Sequence, residues 1–499
     1  MGHVDSGKTT LAKVLSQIAS TAAFDKNPQS KQRGITLELG FSSYAVPSSQ
    51  CLNIISKDET VQFTLVDCPG HAGLIRTVIG GAQIIDLILL VVDVTKGMQT
   101  QTAECIVIGE ITSKQLIVVL NKIDLIEETI RTLHIEKMKK RLMKNLSDTL
   151  YTESPIVAIS AQELVGIPDL ISKISETVLH PKRNNDSSFV LAVDHCFSIK
   201  GKGTVLTGTV LQGTIKVDDE IELPAMSTVK KVKSIQIFKQ DVTSGSAGDR
   251  LGVCVTQFNP KLMERGIGCK PGYAYYISCG IISANKIKYF KEDVNSRSKY
   301  HITVGYETVL ASIISFECDN DDFNFDYNFK YTDKLSDFND SCVKKYLLLQ
   351  FERPVLIVEN CKVIGSKLDL DKHCKNCRLA FAGSLISGCT TKESKENYLS
   401  KLKIYKEKMK VGRVDRILND NFIIVKNLAK NGTILEFYKN LKVTLSNGDE
   451  GVIRDSFGQS GKVKVEIVPT KNKENEYKNA TVTLVYKKYV FVTNNKLFQ

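Results

Sequence analysis

No apolar run in these 499 residues approaches the ~18 that a helix needs to cross a membrane. The longest, residues 84–92, is broken by Asp86 and reads as a buried parallel strand. A signal peptide is equally absent, because residues 1–20 read as a loop followed by an amphipathic helix. The 13 cysteines lack regular spacing, which suits thiols kept reduced in a cytoplasmic setting and excludes a disulfide framework. No internal repeat stands out, so a solenoid or propeller is excluded too. What the chain does have is ordinary: 42% hydrophobic and 24% charged residues, ample for real cores. At 499 residues it is too long for one core, and about three to four domains are expected. The formal charge of +12 is unevenly placed. Residues 401–499 hold 20 Lys+Arg against 10 Asp+Glu, while the first 400 hold 47 against 45. Polyanion binding is therefore assigned to the C-terminal region, against the plainer reading of a basic tail that only aids solubility.

Residues 1–182 alternate short apolar runs with helical patterns. Strands are predicted over 64–67, 87–94, 116–121 and 156–159, and helices over 8–19, 73–82, 101–111, 127–145 and 167–178. That alternation predicts an α/β domain with a mostly parallel sheet and a ligand at the carboxyl ends of its strands. After a polar linker the pattern changes to short strands with glycine turns. Residues 189–272 read as a β-barrel. A second β-rich barrel domain is expected over 273–400, with a surface insertion rich in Asp, Asn, Phe and Tyr at 317–341. A basic, β-barrel-like module is expected over 401–499.

The chemistry begins at Gly2-His3-Val4-Asp5-Ser6-Gly7-Lys8-Thr9, which fits Gly-x4-Gly-Lys-[Ser/Thr]. Backbone N–H groups in such a loop cradle phosphates, while its Lys and Thr serve the outer phosphates and a magnesium ion. Asp5, Ser6, Gly7, Lys8, Thr9 and Thr10 are thus nucleotide-binding candidates. Asp67-Cys68-Pro69-Gly70-His71 ends a predicted strand, where Asp67 can reach magnesium through water and Gly70 can offer its N–H to a γ-phosphate. Asn121-Lys122-Ile123-Asp124 ends another. Asp124 can accept both donors on the guanine edge, a pair that adenine lacks, so the nucleotide is GTP or GDP. Ser160 and Ala161 follow the next strand and can approach the base oxygen. Thr36, in Arg33-Gly34-Ile35-Thr36, is placed to cap the magnesium and sense the γ-phosphate.

These motifs, in this order, resemble those of translational GTPases, the class that includes bacterial elongation factor Tu. The resemblance implies that His71 positions the attacking water and that Asp5 helps hold a monovalent cation. It narrows further, because serine stands at Ser6 where elongation factor Tu has a second histidine. Residues 20–26 and 33–41, Val193-Asp194-His195-Cys196 and its sequel to Gly201, Gly248-Asp249-Arg250-Leu251-Gly252, and residues 457–462 resemble the eukaryotic selenocysteine-specific elongation factors. The likeness runs from Gly2 to about Val492. It implies ribosome-stimulated GTP hydrolysis and delivery of selenocysteyl-tRNA to ribosomes recoding UGA. It implies further a C-terminal module that reads the recoding mRNA hairpin, its binding protein or the tRNA's long arm; a monomer and no membrane are expected. The aminoacyl pocket would use Asp194, His195 and Arg250. A selenol is more acidic than a thiol, so an arginine and a histidine can favour selenocysteine as its anion over neutral serine. Spacing alone leaves another arrangement open, with Asp194-His195 merely closing a strand and Arg250 paired to Asp249. A general translational GTPase for ordinary aminoacyl-tRNA, or an initiation-type factor for initiator tRNA, is the alternative function.

Two further features carry expectations. His373-Cys374-Lys375-Asn376-Cys377 offers zinc ligands, with Cys361 and Cys389 nearby, but no second spaced pair, and ordinary thiols are the better reading. Only Met1 precedes the phosphate loop, where a buried strand of about five or six apolar residues is expected. Weak nucleotide affinity and low stability are expected of a chain lacking that strand, together with unpaired hydrogen bonds on its neighbour.

Overall fold

The computed structural model describes residues 1–16, 18–19, 39–54, 59–71, 75–82, 84–112, 115–305, 307–335, 343–359, 361–369, 377–419, 421–428, 435–458, 461–467, 477, 480–491 and 498–499. By contact density the chain divides into two compact units. Unit 1 comprises Met1–Val294, Ser298–Ser312 and Leu349–Thr391; unit 2 comprises Asn295–Arg297, Ile313–Leu348 and Lys392–Gln499. The segments expected over 273–400 and 401–499 do not coincide with this division, which falls inside two long strands.

The first domain runs α1 (Lys8–Leu15), β1 (Ile18–Ala19), β2 (Gly40–Pro47), β3 (Thr60–Asp67), α2 (Ile75–Ala82), β4 (Ile88–Asp93), α3 (Thr100–Thr112), β5 (Leu116–Asn121), α4 (Glu128–Leu146), β6 (Ile156–Ala158) and α5 (Ile167–Thr177). Helices α2 to α5 lie within about two residues of the expected ranges, whereas the helix expected over 8–19 ends at Leu15 and Ile18–Ala19 form β1 instead. A buried stripe positions three of them, with Leu11 and Leu15 in α1, Leu142 and Leu146 in α4, and Leu170 and Ile174 in α5, while α3 is buried on several sides. The strands β4, β5 and β6 pair in parallel. Val91, Val92, Val118 and Val119 are buried, so both faces of this sheet are covered and it reads as continuous apolar sequence. By contrast β2 and β3 pair antiparallel, from Gly40 opposite Asp67 to Pro47 opposite Thr60. The expected mostly parallel sheet therefore comes as two three-stranded pieces, β1–β2–β3 and β4–β5–β6. Met1 lies alongside β4: its ammonium donates to the Leu89 carbonyl at 2.9 Å and its carbonyl accepts from the Val91 N–H at 2.9 Å. Those two backbone groups of β4 thus have partners, where unpaired groups were expected. A cavity of about 100 Å³, lined by Met1, Leu11, Leu65, Asp67 and Leu89 among others, adjoins this contact.

The barrel that follows contains β7 (Val190–Ile199), β8 (Gly203–Gln212), β9 (Thr214–Lys216), β10 (Glu220–Leu223), β11 (Thr228–Ile237), β12 (Gln240–Val242), β13 (Ser244–Ser246), β14 (Arg250–Val255) and β15 (Gly266–Cys269). Its order is β10–β15–β7–β8–β14–β11–β12, and β10 also pairs with β11, which closes the sheet and leaves the short β12 at its margin. Leu191, Leu206, Ile221, Val232 and Val253 fill the interior. The remaining strands are β16 (Tyr275–Lys286), β17 (Lys299–Val304), β18 (Glu307–Cys318), β19 (Phe329–Thr332), β20 (Lys344–Ile357), β21 (Lys362–Ser366) and β22 (Leu379–Thr390). Then come α6 (Lys395–Lys401), β23 (Ile404–Asn419), β24 (Phe422–Lys426), β25 (Lys442–Leu445), β26 (Glu450–Phe457), β27 (Lys462–Ile467) and β28 (Thr481–Tyr489). Within unit 1, Ile287, Ile364 and Leu379 pack on Ile75 and Ile79 of α2 and Ile108 of α3.

Residues 317–341 read as a surface insertion, but three of their phenylalanines join a packed aromatic cluster, while Tyr327 stays exposed. Phe323 stacks on Phe329, Phe329 meets Phe316 and Phe323 meets Tyr346 edge-on, and Phe325 packs edge-on to Tyr398. Phe329 is fully buried, and β19 runs parallel to the start of β23. Polar composition hid this, because Asp and Asn between the aromatics face solvent while the rings supply the core. Residues 336–341 of the insertion, with Thr36, His373 and Cys374, lie outside the described residues. Among the described residues no group of His, Cys, Asp and Glu is arranged to hold a metal ion, and no helix is long and apolar enough to cross a membrane.

Candidate functional site

At the amino end of α1 the chain must turn sharply, and Gly7 does so at φ 90°. A Cβ there would meet the Asn121 amide nitrogen at 2.2 Å, so glycine is required both for conformation and for space. Asn121 exploits that closeness. Its amide donates to the Ser6 carbonyl at 3.0 Å and its carbonyl accepts from the Ala161 N–H at 3.0 Å. One buried side chain thereby ties the phosphate loop to the loop after β6. Asp124 stands beside it, and Ser160 donates its hydroxyl proton to Asp124 Oδ1 at 2.5 Å, orienting the carboxylate. Lys122 reaches back to Asp93 Oδ2 at 2.9 Å. Asp93 also accepts from the Thr95 backbone and hydroxyl at 2.9 and 2.6 Å. Burial disfavours its charged form, yet bonds from Thr95 and Lys122 outweigh this and hold its carboxyl below the ordinary value. Asp93 and Thr95 escaped the reading of the sequence, where the only signal was an Asp at the end of an apolar strand.

The outer-phosphate groups converge as well. Thr9 donates to Asp67 Oδ2 at 2.7 Å, so a hydroxyl and a carboxylate sit side by side as hard oxygen donors suited to magnesium. Lys8 bends over its own loop to the His3 carbonyl at 2.5 Å. Burial lowers its pKa, while the neighbouring Asp67 works in the opposite direction. A Cβ on Gly70 would lie 2.5 Å from Lys8 Nζ, which places the Asp67–His71 segment directly over the lysine. Asp5, Thr10 and His71 are exposed to solvent at this end of the domain. The structure thus brings together Ser6, Gly7, Lys8, Thr9, Asp67, Gly70, Asn121, Asp124, Ser160 and Ala161.

The second cluster lies in the barrel. A register shift in the β7–β8 pairing between Val193 and His195 surrounds Asp194, which is buried. Arg250, the first residue of β14, grips it with both terminal nitrogens: Nη1 to Oδ2 at 2.6 Å and Nη2 to Oδ1 at 3.0 Å. His195 Nδ1 lies 2.9 Å from Oδ1, and Thr207 donates to the same oxygen at 3.0 Å. Burial opposes ionisation of Asp194, but the Arg250 charge and the bonds from His195 and Arg250 prevail and keep its carboxyl below the ordinary value. Arg250 is therefore bound to Asp194, resolving the choice against Asp249, whose Oδ2 instead accepts from the Ser246 N–H at 2.8 Å. The guanidinium carbon also lies 3.3 Å above the centroid of the Phe41 ring. Phe41, near the start of β2, was not singled out from the sequence, since a lone aromatic in an apolar strand carries no site signal. The His195 side chain is 28% exposed against 5% for Arg250, so the imidazole is the accessible member of the trio.

The Elongation factor Tu GTP binding domain matches residues 1–180, and Elongation factor Tu domain 2 matches residues 203–266. The third domain of eukaryotic selenocysteine-specific elongation factors matches 281–383, and the eEFSec C-terminal RIFT domain matches 400–475. A mouse selenocysteine-specific elongation factor is 43% identical, with 100% of this chain and 98% of the mouse protein covered. The chain belongs to the selenocysteine-specific elongation factors. A relative of this elongation factor from Methanocaldococcus jannaschii is 33% identical over 93% of this chain and 92% of its own length. Among solved structures, the elongation factor SelB of Methanococcus maripaludis bound to the GTP analogue GppNHp superposes with a TM-score of 0.72 at 27% identity. That match covers 98% of this chain and 97% of the archaeal one. This elongation factor is accordingly a GTP-binding GTPase, an α/β nucleotide domain followed by β-barrels.

Proposed function

We propose that this elongation factor carries selenocysteyl-tRNA to the ribosome at recoded UGA codons in the cytoplasm and is released when GTP is hydrolysed. The observation that carries the reading is the Asp194–Arg250–His195 trio, built into the barrel that follows the nucleotide domain. In the first domain Lys8 and the loop N–H groups would hold the phosphates, and Thr9 and Asp67, with Thr36 by the family resemblance, would hold a magnesium ion, whose charge would offset that developing on the phosphate oxygens. His71 orients a water for in-line attack on the γ-phosphorus. The bond to the β-phosphate oxygen breaks, and the water's proton leaves with inorganic phosphate. Asp5, exposed beside the phosphate loop, is positioned for a monovalent cation. Recognition rests on charge. The Arg250 guanidinium and the exposed His195 imidazole, an N–H donor, favour the selenolate over the neutral hydroxyl of serine.

The test compares binding of selenocysteyl-tRNA and seryl-tRNA on one tRNA body to GTP-loaded protein. Selenocysteine is expected to bind more tightly, and Arg250→Ala to reduce that preference by about 10- to 100-fold, the worth of a charged hydrogen bond. Equal binding of both tRNAs to the native protein would refute the reading. The alternative, ordinary aminoacyl- or initiator-tRNA, predicts that equality.

The C-terminal module contributes RNA and recoding-factor contacts. On the outer face of β23, β24, β27 and β26, Lys464 lies 4.1 Å over the Phe422 ring and Arg416 lies 4.8 Å over Phe457. Lys426 and Lys462 flank Asp415 at 3.2 and 2.7 Å. Cations interleaved with aromatic rings suit phosphates and unpaired bases of a recoding hairpin. Lys464→Ala is expected to weaken RNA binding similarly across sequences and to reduce the salt slope by about 1. An unchanged slope would remove this face from the RNA interface.

A further inference from the structure

Arg250 is held from a direction that the pocket itself does not explain. It follows the turn Ser246–Asp249, whose Gly248 sits at φ 96°. A Cβ on Gly248 would meet Nε, Cζ and Nη2 of Arg183 at 2.6, 2.8 and 2.9 Å. Three guanidinium atoms at nearly equal distance mean that the Arg183 plane lies against the Gly248 backbone. Only a planar, delocalised cation can cover a peptide in this way, and only glycine leaves room for it. Arg183 belongs to the polar linker between nucleotide domain and barrel. The same guanidinium is anchored through Nη2, which donates to Asp86 Oδ2 at 2.5 Å, and Asp86 lies between α2 and β4 of the nucleotide domain. The turn is otherwise defined within the barrel, where Asp249 accepts from Ser246 and the Gly248 N–H donates to the Val210 carbonyl at 2.8 Å. Burial raises the Asp249 pKa, and the nearby Arg183 charge counters it.

We infer that Arg183, anchored by Asp86 and seated on Gly248, is a positioning residue for Arg250, making selenocysteine discrimination depend on how the nucleotide domain holds the linker. The inference rests on the pocket reading given above. Arg183 touches neither Arg250 nor Asp194, so it acts through the turn. The exposed ion pair contributes little to stability by itself. Its effect lies in the geometry it imposes two residues before β14. A coupling of the usual size between two sites corresponds to a five- to hundredfold change in affinity ratio.

The experiment measures affinities for selenocysteyl-tRNA and seryl-tRNA on one tRNA body, and for GTP, in the full chain and in Arg183→Met, Arg183→Lys, Asp86→Asn and Arg250→Ala. Arg183→Met and Asp86→Asn are expected to lower the selenocysteine preference at least fivefold with GTP affinity within twofold of native. Arg183→Lys, which keeps charge but loses the plane, is expected to restore the Asp86 bond without restoring the preference. If Arg250→Ala abolishes the preference while Arg183→Met leaves it intact, the positioning role is wrong and the pocket stands. A preference unchanged even in Arg250→Ala overturns the pocket reading and this inference with it. A fall in GTP affinity alone, with the preference unchanged, makes Arg183 a structural linker residue and overturns the role.

Discussion

Asp124→Asn is expected to lower affinity for guanine nucleotides by about 10⁴-fold and to create affinity for xanthine nucleotides. The guanine edge presents two donors, the ring N–H and the exocyclic amine, to one carboxylate that accepts both. An amide accepts only at its oxygen and presents N–H against the exocyclic amine, so one guanine donor is left facing a donor. Xanthine carries an oxygen at that position and restores complementarity. The surroundings hold the side chain in place, since Ser160 bonds Asp124 Oδ1 at 2.5 Å. A serine hydroxyl can donate to an amide oxygen as readily as to a carboxylate, so the substituted side chain keeps its orientation. Asn121 is spared, because its hydrogen bonds go to Ser6 and Ala161. Titration with fluorescent GDP and XDP would measure both changes. Undiminished GDP affinity in the variant would mean that Asp124 does not read the base, and specificity would have to arise at the Ser160–Ala161 loop.

The nucleotide site was legible in the sequence because backbone cradles demand residue types that few other structures require. Gly7 must occupy a left-handed conformation against Asn121, Thr9 must reach Asp67, and each requirement leaves its letter at a fixed offset. The parallel strands were equally plain, since burial on both faces writes an unbroken apolar run. The β2–β3 ribbon was harder to see. The mostly buried β2 follows residues 20–38, whose composition gives no periodic signal, and the partly exposed β3 alone reads as a short strand. Long-range pairing was harder still. Asp194 and Arg250 are 56 residues apart, and only the resemblance joined them; nothing in their spacing separates Asp194 from Asp249 as the partner of Arg250. Contacts such as Phe41 on Arg250 or Arg183 on Gly248 leave no local trace. They depend on how the nucleotide domain and barrel meet, and a side chain's own neighbours in sequence say nothing about that. The aromatic residues of 317–341 show the same limit from the other side, since alternating acids and rings look like a solvated loop until a core is built against the rings.

The largest loss of stability is expected at a pair that sequence reading passed over. Glu104 of α3 and Arg378, just before β22, form a two-pronged bond at 2.9 and 2.8 Å across 274 residues, each side chain only 6% exposed. The bond from Glu104 raises the pKa of Arg378, while burial acts in the opposite direction. Removing one partner from such a pair strands the other charge away from water, and about 3–5 kcal/mol of destabilisation is expected for Arg378→Met or Glu104→Leu alone. The double variant leaves no buried charge and is expected to recover most of that loss, since apolar replacements of similar volume often match a buried ion pair. Urea midpoints of the four proteins give the coupling directly. Additive losses would mean that the two residues contribute by packing alone. The pair also bears on switching. Beside it, Ile75 and Ile79 of α2 and Ile108 of α3 pack on Ile364 and Leu379, and α2 follows the segment that ends at His71. A bidentate geometry tolerates little displacement, so any movement of α3 between nucleotide states changes the strength of the bond. The difference in urea midpoint between GTP- and GDP-loaded protein should therefore shrink in the double variant, and a difference that persists in full would place the state-dependent contacts elsewhere on this interface.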